Sequence, residues 1–389
     1  MAATTENKIQ PQQAGARMKT KGAILLEPGT RSGWSVEELE LAQPKQGEVL
    51  VKLAAAGLCH SDQHFDTGDM VVDYKPLLGG HEGAGVVEAL GPNVEGLQVG
   101  DHVITSFMPS CGHCRWCVEG HGQLCDRGAG LQSGCGLDGT HRFFWNGQGV
   151  GAMTYTGTFA QHIVCPADSL IRFGGDISPE KAAIVGCAVP TGFGTAVNVA
   201  EVRVGDVVAV IGTGGVGMNA IQGARVAGAK AIIAIDPVEW KREQAPTFGA
   251  THTAASVEEA TELITSLTHG EMADRAILTM GVVEGEIIDP AMGLISKNGI
   301  LAIAGVSAIT QNQTALSLFA LAMYQKQIRG SLYGGWAPRT SIPLLLDLYR
   351  TGGLLLDELV TRTYALEEIN QGYKDMAEGR NIRGVLVYD

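Results

Sequence analysis

The sequence predicts an α/β chain in two parts, a β-rich, barrel-like region of short strands and a doubly wound parallel sheet. Three observations predict it. The apolar run Val207–Ile211 leads straight into a glycine-rich turn, a helical stretch (Met218–Val226) and a second apolar run, Ala231–Ile235. Strand-like and helix-like segments then alternate, with strands at 275–279, 299–304 and near 327–333 and helices at 257–268, 285–294 and 316–325. The first third instead carries short strands at 21–26, 48–55, 86–87 and 100–104, punctuated by Pro28-Gly29 and Pro44-Lys45.

At 389 residues and 45% hydrophobic content, the chain has room for two or three domains with real cores. No apolar run approaches the ~20 residues of a membrane helix. Residues 1–17 are polar and lack an apolar signal core; they read as a flexible extension, with the ordered chain starting near Met18. The charge balance of 28 Lys and Arg against 41 Asp and Glu, net −13, argues against nucleic acid, which calls for a basic face. Four of the eight cysteines fall within fifteen residues, which favours metal over disulfides and a reducing, cytoplasmic setting.

The run Val49–Ala56 ends in Gly57-Leu58-Cys59-His60-Ser61-Asp62-Gln63-His64. A thiol, two imidazoles, a hydroxyl and a carboxylate at a strand end suit metal binding, proton transfer or nucleophilic attack; a polar turn with an incidental cysteine is equally consistent with this stretch alone. A second such turn holds Gly80-His81-Glu82. Cys111, Cys114, Cys117 and Cys125 follow with spacing C-x2-C-x2-C-x7-C, four thiolates that close a tetrahedral zinc shell with no open position. His113 and His121 lie inside that loop and are not needed by a filled shell. Cys59, His81 and the distant Cys187 make a three-ligand set with a fourth position left for water or substrate. Cys135 and Cys165 read as packing residues.

In the middle, Gly212-Thr213-Gly214-Gly215-Val216-Gly217 fits G-x-G-x-x-G between a strand and a helix. Asp236 ends the next strand, twenty-four residues after the first glycine. The glycines admit a pyrophosphate at the helix N-terminus. Asp236 would accept from ribose hydroxyls and repel a 2′-phosphate, favouring NAD over NADP. Lys241 is a solvated cation or a cofactor contact. The strand ends at Ala304-Gly305-Val306 and Ser331-Leu332-Tyr333 should face the nicotinamide. Helices at 342–350 and 366–378 and a strand at 385–388 complete the chain, the strand returning to the first region.

Together Gly57-x-Cys59-His60-Ser61-Asp62-x-His64, Gly80-His81-Glu82-x2-Gly85, the four-cysteine lobe and Gly212-x-Gly214-x2-Gly217 resemble the zinc-dependent, medium-chain alcohol dehydrogenases from Met18 to Asp389. Within that family the chain is most similar to the actinobacterial NDMA-dependent nicotinoproteins, whose tightly held NADH is reoxidised by another acceptor. The resemblance implies a GroES-like catalytic domain over 18–189 and 334–389 with a zinc lobe at 108–128, and a Rossmann NAD domain over 190–333. It implies a catalytic zinc on Cys59, His81 and Cys187 and a structural zinc on the lobe cysteines. Asp62 would orient His81, Glu82 would stand behind the metal, and Ser61 and His64 would carry the alcohol proton away. His60 and Arg383 would face the pyrophosphate, Thr191 would lie under the nicotinamide, and Met70 and Phe107 would line the substrate pocket. Phe143, Phe144 and Trp145, in the loop 140–156, either roof that pocket or serve ordinary packing.

The activity implied is oxidation of a primary or secondary alcohol by hydride transfer to NAD. A thiol-dependent formaldehyde dehydrogenase and a non-catalytic zinc- and nucleotide-binding protein are the alternatives. The resemblance further implies a homodimer or homotetramer, joined near strand 299–304, with a small alcohol or aldehyde as substrate, a separate redox acceptor and no membrane partner.

Overall fold

A computed structural model describes residues 17–72 and 74–389, so the extension expected over 1–17 lies outside them except for Arg17. Arg17 is tied down: it pairs with Glu40 at 2.8 Å and stacks 3.5 Å above the ring of Phe144.

Three sheets make up the fold. The strands Met18–Leu25, Ser35–Leu41, Phe143–Trp145, Gln148–Ala152 and Leu77–Leu78 close a small barrel. Beside it lies a seven-stranded sheet in the order Leu170–Phe173, His102–Thr105, Glu82–Leu90, Glu48–Gly57, Arg383–Val387, Val360–Tyr364, with His162–Pro166 also pairing to Glu48–Gly57. The third sheet is parallel, in the order His252–Ala254, Ala231–Ile235, Val207–Ile211, Ala273–Leu278, Ile295–Ile303, Gln327–Gly330. That order reverses at Val207–Ile211, the switch point where doubly wound sheets open a ligand crevice.

The loop expected at 140–156 is a barrel hairpin. Phe143 pairs with Leu41 and is fully buried, and Trp145 packs on the barrel core. The aromatic residues therefore serve ordinary packing; each fully buried side chain of this size contributes roughly 1.5–3 kcal/mol. Trp145 pairs with Gln148 across Asn146 and Gly147, whose φ values are 49° and 78°. Asn-Gly with two positive φ angles is a strong hairpin signal, and it stands in the sequence.

The expected oligomer strand also needs correcting. Ile295–Ile303 is interior to its sheet; the free edge on that side is Gln327–Gly330.

The last strand does return to the first region. Arg383–Val387 runs antiparallel to Glu48–Gly57, with Val385 opposite Gly57. One continuous core joins the two regions, from Ala55 and Ile104 through Val189 and Phe193 to Val208 and Val210. The helix Ala188–Gly194 sits in its middle and is buried throughout.

Candidate active site

The stretch after Gly57 is a helix, His60–Thr67, rather than a turn. Helical spacing divides its polar residues: His60, Ser61 and His64 line a cleft, while Asp62 is fully buried behind them. Asp62 Oδ1 accepts from the backbone N–H of Gly80 at 2.8 Å and lies 3.2 Å from His81 Nδ1. A carboxylate there fixes the hydrogen on Nδ1 and leaves Nε2 free for a metal. Gly80 adopts φ 89°, and a Cβ on it would lie 2.5 Å from Thr158 Oγ1, so the turn presenting His81 has room only for glycine.

Cys59, His81, Glu82 and Cys187 bring one ligand atom each within 4.8 Å of one another, and the four lobe cysteines do the same. These are the two metal-holding groups among the described residues. The donor set tests whether zinc fits. The Cys187 thiol holds the Cys59 thiol well below its ordinary value, helped against burial by His81 and Arg383. The same hydrogen bond, with burial, pushes Cys187 well above. Two buried sulfurs this close cannot both carry charge unless a cation lies between them, so the pair fits zinc. Cys187 caps the helix Ala188–Gly194, whose first N–H donates to Glu82 Oε1 at 3.3 Å. Burial pushes the Glu82 carboxyl to about 7 despite the attraction of Arg383. Glu82 and Arg383 nonetheless form a buried ion pair, and Arg383 also donates to the Leu58 carbonyl at 2.9 Å.

In the lobe, backbone N–H groups of Cys111 and Cys114 point at the sulfurs of Cys125 and Cys111, at 3.5 and 3.3 Å. Backbone N–H donors of Asp126 and Cys117 lower the Cys114 thiol to about 6, favouring the thiolate a zinc requires. His113 and His121 are exposed, outside the ligand set. Cys114→Ser is expected to remove the lobe zinc and lower heat stability and soluble yield, with turnover per remaining catalytic zinc largely kept. Metal content, melting temperature and rate of one preparation check this.

The cleft, about 320 Å³, runs from Cys59 to Asp236 between the two regions. His60, Gly212, Gly214, Gly215, Val216, Asp236, Lys241, Ala304, Val306 and Arg383 line it. Gly217 lies below, where a Cβ would stand 1.9 Å from the Gly212 carbonyl; it serves the close packing of helix on strand. A dinucleotide fits the donors and acceptors present. Arg383 Nε, Asn381 Oδ1 and His64 Nε2 are buried, lack partners among the described residues and belong to lining side chains. Asp236 accepts from the N–H groups of Thr213 and Val238 at 2.8 and 2.9 Å, which holds its carboxylate at the strand end. Burial lowers the His60 imidazole to about 4, so it is neutral at the cleft wall.

Other expected residues sit elsewhere. The Ser331 hydroxyl is 2.7 Å from that of Thr195, and Thr195 also donates to the Thr191 carbonyl at 2.6 Å; this cluster lies outside the cleft lining. Tyr333 is buried and donates to the Gly186 carbonyl at 2.6 Å, bracing the loop that carries Cys187 instead of lining the cofactor cleft. Phe107 stands between Tyr333 and His81, with ring centroids at 5.0 and 5.8 Å, beside the metal-holding group. Met70 packs against the barrel core and does not line the cleft. Sequence reasoning missed Asn381, Met280 and Gly281, which also line it, and the pairing of Arg383 with Glu82.

Residues 45–175 match the family model described as the alcohol dehydrogenase GroES-like domain, and residues 215–350 that of the zinc-binding dehydrogenases. The chain is 45% identical to alcohol dehydrogenase B of Mycobacterium tuberculosis over 95% of its length and 99% of the relative's. An NDMA-dependent alcohol dehydrogenase of Amycolatopsis methanolica matches at 45%, again over 95% of this chain and 99% of that one. Benzyl alcohol dehydrogenase from Acinetobacter calcoaceticus is similar in structure, with TM-score 0.88, 30% identity, and coverage of 96% of this chain and 100% of that one. A zinc-binding-domain alcohol dehydrogenase protein from Burkholderia ambifaria gives TM-score 0.89 at 31% identity, over 96% and 100% of the two chains. The metal-holding groups, the dinucleotide-shaped cleft and these similarities converge: the chain belongs to the zinc-dependent, medium-chain alcohol dehydrogenase family.

Proposed function

We propose that the protein oxidises a primary or secondary alcohol to its aldehyde or ketone, with NAD held so tightly that another acceptor reoxidises it in place. One observation carries the reading: Cys59 and the residues of the dinucleotide cradle line the same cleft, so metal and nicotinamide meet there. Bound at Cys59, His81 and Cys187, zinc supplies Lewis acidity to the alcohol oxygen, and the dinucleotide supplies the hydride acceptor.

The chain's own residues do the rest. Asp62 holds the His81 ring in place. Ser61, whose hydroxyl lies 3.6 Å from the Cys59 sulfur, takes the proton of the substrate hydroxyl, and His64 receives it at the far side of the cleft. Arg383 and the N-terminus of helix Gly215–Val226 hold the pyrophosphate, while Asp236 selects NAD. Phe107 forms the apolar wall of the substrate pocket. The catalytic domain spans 18–189 and 334–389, and the NAD domain 190–333.

Among the described residues no helix is long and apolar enough to cross a membrane. The cysteines are unpaired, which supports a reducing, cytoplasmic setting. The free edge Gln327–Gly330 lies next in sequence to a helix, Leu318–Met323, on which Leu318 and Phe319 are 71% and 68% exposed. Exposed apolar side chains close to a bare edge strand support a homodimer or homotetramer through that edge.

Gel filtration tests the cofactor claim. Purified protein is expected to elute with NAD(H) bound, and added NAD⁺ should scarcely raise its rate with an artificial acceptor. Loss of the cofactor on the column, with full activity restored by NAD⁺, would defeat it. The same run is expected to give the mass of a dimer or tetramer; a monomer would sink the edge assignment.

A further inference from the structure

We infer that Asp69, two residues past the end of helix His60–Thr67, is the positioning residue of the proton exit, holding His64 with its hydrogen on Nδ1 so that Nε2 faces the cleft as a base. The inference rests on the reading of His64 as the proton acceptor.

The geometry is local. Gly68 ends the helix in the left-handed region at φ 88°, and the N–H groups of Gly68 and Met70 both donate to the His64 carbonyl, at 3.0 and 3.1 Å. This reversal brings Asp69 back under the last turn. Its Oδ2 accepts from the Thr67 hydroxyl at 2.7 Å and lies 3.3 Å from His64 Nδ1. The Thr67 hydroxyl and His64 hold the Asp69 carboxyl below the usual carboxylate value, so it is ionised and can only accept. Nδ1 must therefore carry the hydrogen. The other nitrogen, Nε2, is buried without a partner among the described residues, and the ring lines the cleft. The His64 side chain is 4% exposed and that of Asp69 31%, so the carboxylate spans from the buried ring to solvent. On its outer side Asp69 lines a second cavity with Val283, Glu284, Glu286 and Gln311. The step balances simply: a proton arriving at Nε2 makes an imidazolium with Asp69 as counter-ion, and water takes the proton when the ring returns to neutral.

Other charges face the pair. His60, one turn earlier, and Lys241 and Arg383 across the cleft disfavour the imidazolium; Arg31 stands near Asp69, and Glu284 and Glu286 lie across the outer cavity. Among these, Asp69 is the carboxylate within hydrogen-bond reach of the ring.

The test is the pH profile of kcat/KM in zinc- and NAD-loaded enzyme. A carboxylate beside the ring raises the imidazole pKa, so removing its charge lowers it. In Asp69→Asn the acid-side inflection is expected to move down by about one pH unit and the plateau to fall roughly tenfold. Asp69→Glu should bring the inflection back toward its original position, which a merely structural role would not do. His64→Gln should abolish the inflection, and adding Asp69→Asn to it should change nothing further. An unmoved inflection in Asp69→Asn, with His64→Gln still losing it, overturns the role of Asp69 alone. An inflection that survives His64→Gln overturns the proton-acceptor reading beneath it. Zinc content of each variant separates these outcomes from loss of fold, and if Asp69→Asn does not fold, an Asp69→Glu profile unlike that of the starting protein overturns the inference.

Discussion

Cys59→Ser is expected to abolish turnover, by roughly 10³-fold or more, while zinc falls from two ions to about one per chain. The size follows from the chemistry lost: Lewis-acid stabilisation is worth several kcal/mol, and each 1.36 kcal/mol is a factor of ten. The substitution is nearly isosteric and leaves the Asp62–His81 contact and the lobe cysteines untouched, so the fold and the second zinc should survive. His81→Ala should match it. A Cys59→Ser protein with normal zinc and normal rate would contradict the ligand assignment.

Arg383→Met is expected to cost about 3–5 kcal/mol of stability and to weaken NAD retention. Glu82 is fully buried and its charge is balanced by Arg383, which arrives on the last strand, 301 residues later in sequence. Removing one partner of a buried pair strands the other, whereas removing both removes the penalty. Glu82→Gln combined with Arg383→Met should therefore recover more than half of the lost stability. Heat or urea unfolding of the three variants provides the comparison. Wild-type stability in the single variant would show that the pair holds nothing together. The glycines around it fit this reading: a Cβ on Gly57 would lie 1.9 Å from Glu82 Oε2, and one on Gly215 would lie 2.2 Å from Arg383 Cδ.

What could be read from the sequence was what is local. The run Val207–Ile211, the turn Gly212–Gly217 and the strand Ala231–Ile235 coincide with the observed elements because each is set by its own residues. The lobe cysteines were legible for the same reason, since their spacing alone makes a shell. The helix His60–Thr67 was read as a turn because its residues are polar and none marks a helix start; tertiary contacts of Asp62 and Phe65 with buried surroundings hold it. The hairpin at Asn146-Gly147 carried its signal and was overlooked. Strand order was out of reach: nothing in Ile295–Ile303 or Gln327–Gly330 says which lies at the edge. The same holds for Tyr333, whose strand-end position suggested the cofactor but whose hydroxyl turns to Gly186.

The most direct test of an alcohol dehydrogenase is one turnover of protein carrying both zinc ions and its own NAD⁺, mixed with a panel of primary and secondary alcohols while nicotinamide absorbance is followed. At least one alcohol should reduce the bound NAD⁺ to about one NADH per active site, and the metal-depleted Cys59→Ser protein should reduce none. Fully loaded protein that forms no NADH with any alcohol, or a Cys59→Ser protein that forms as much, would contradict it.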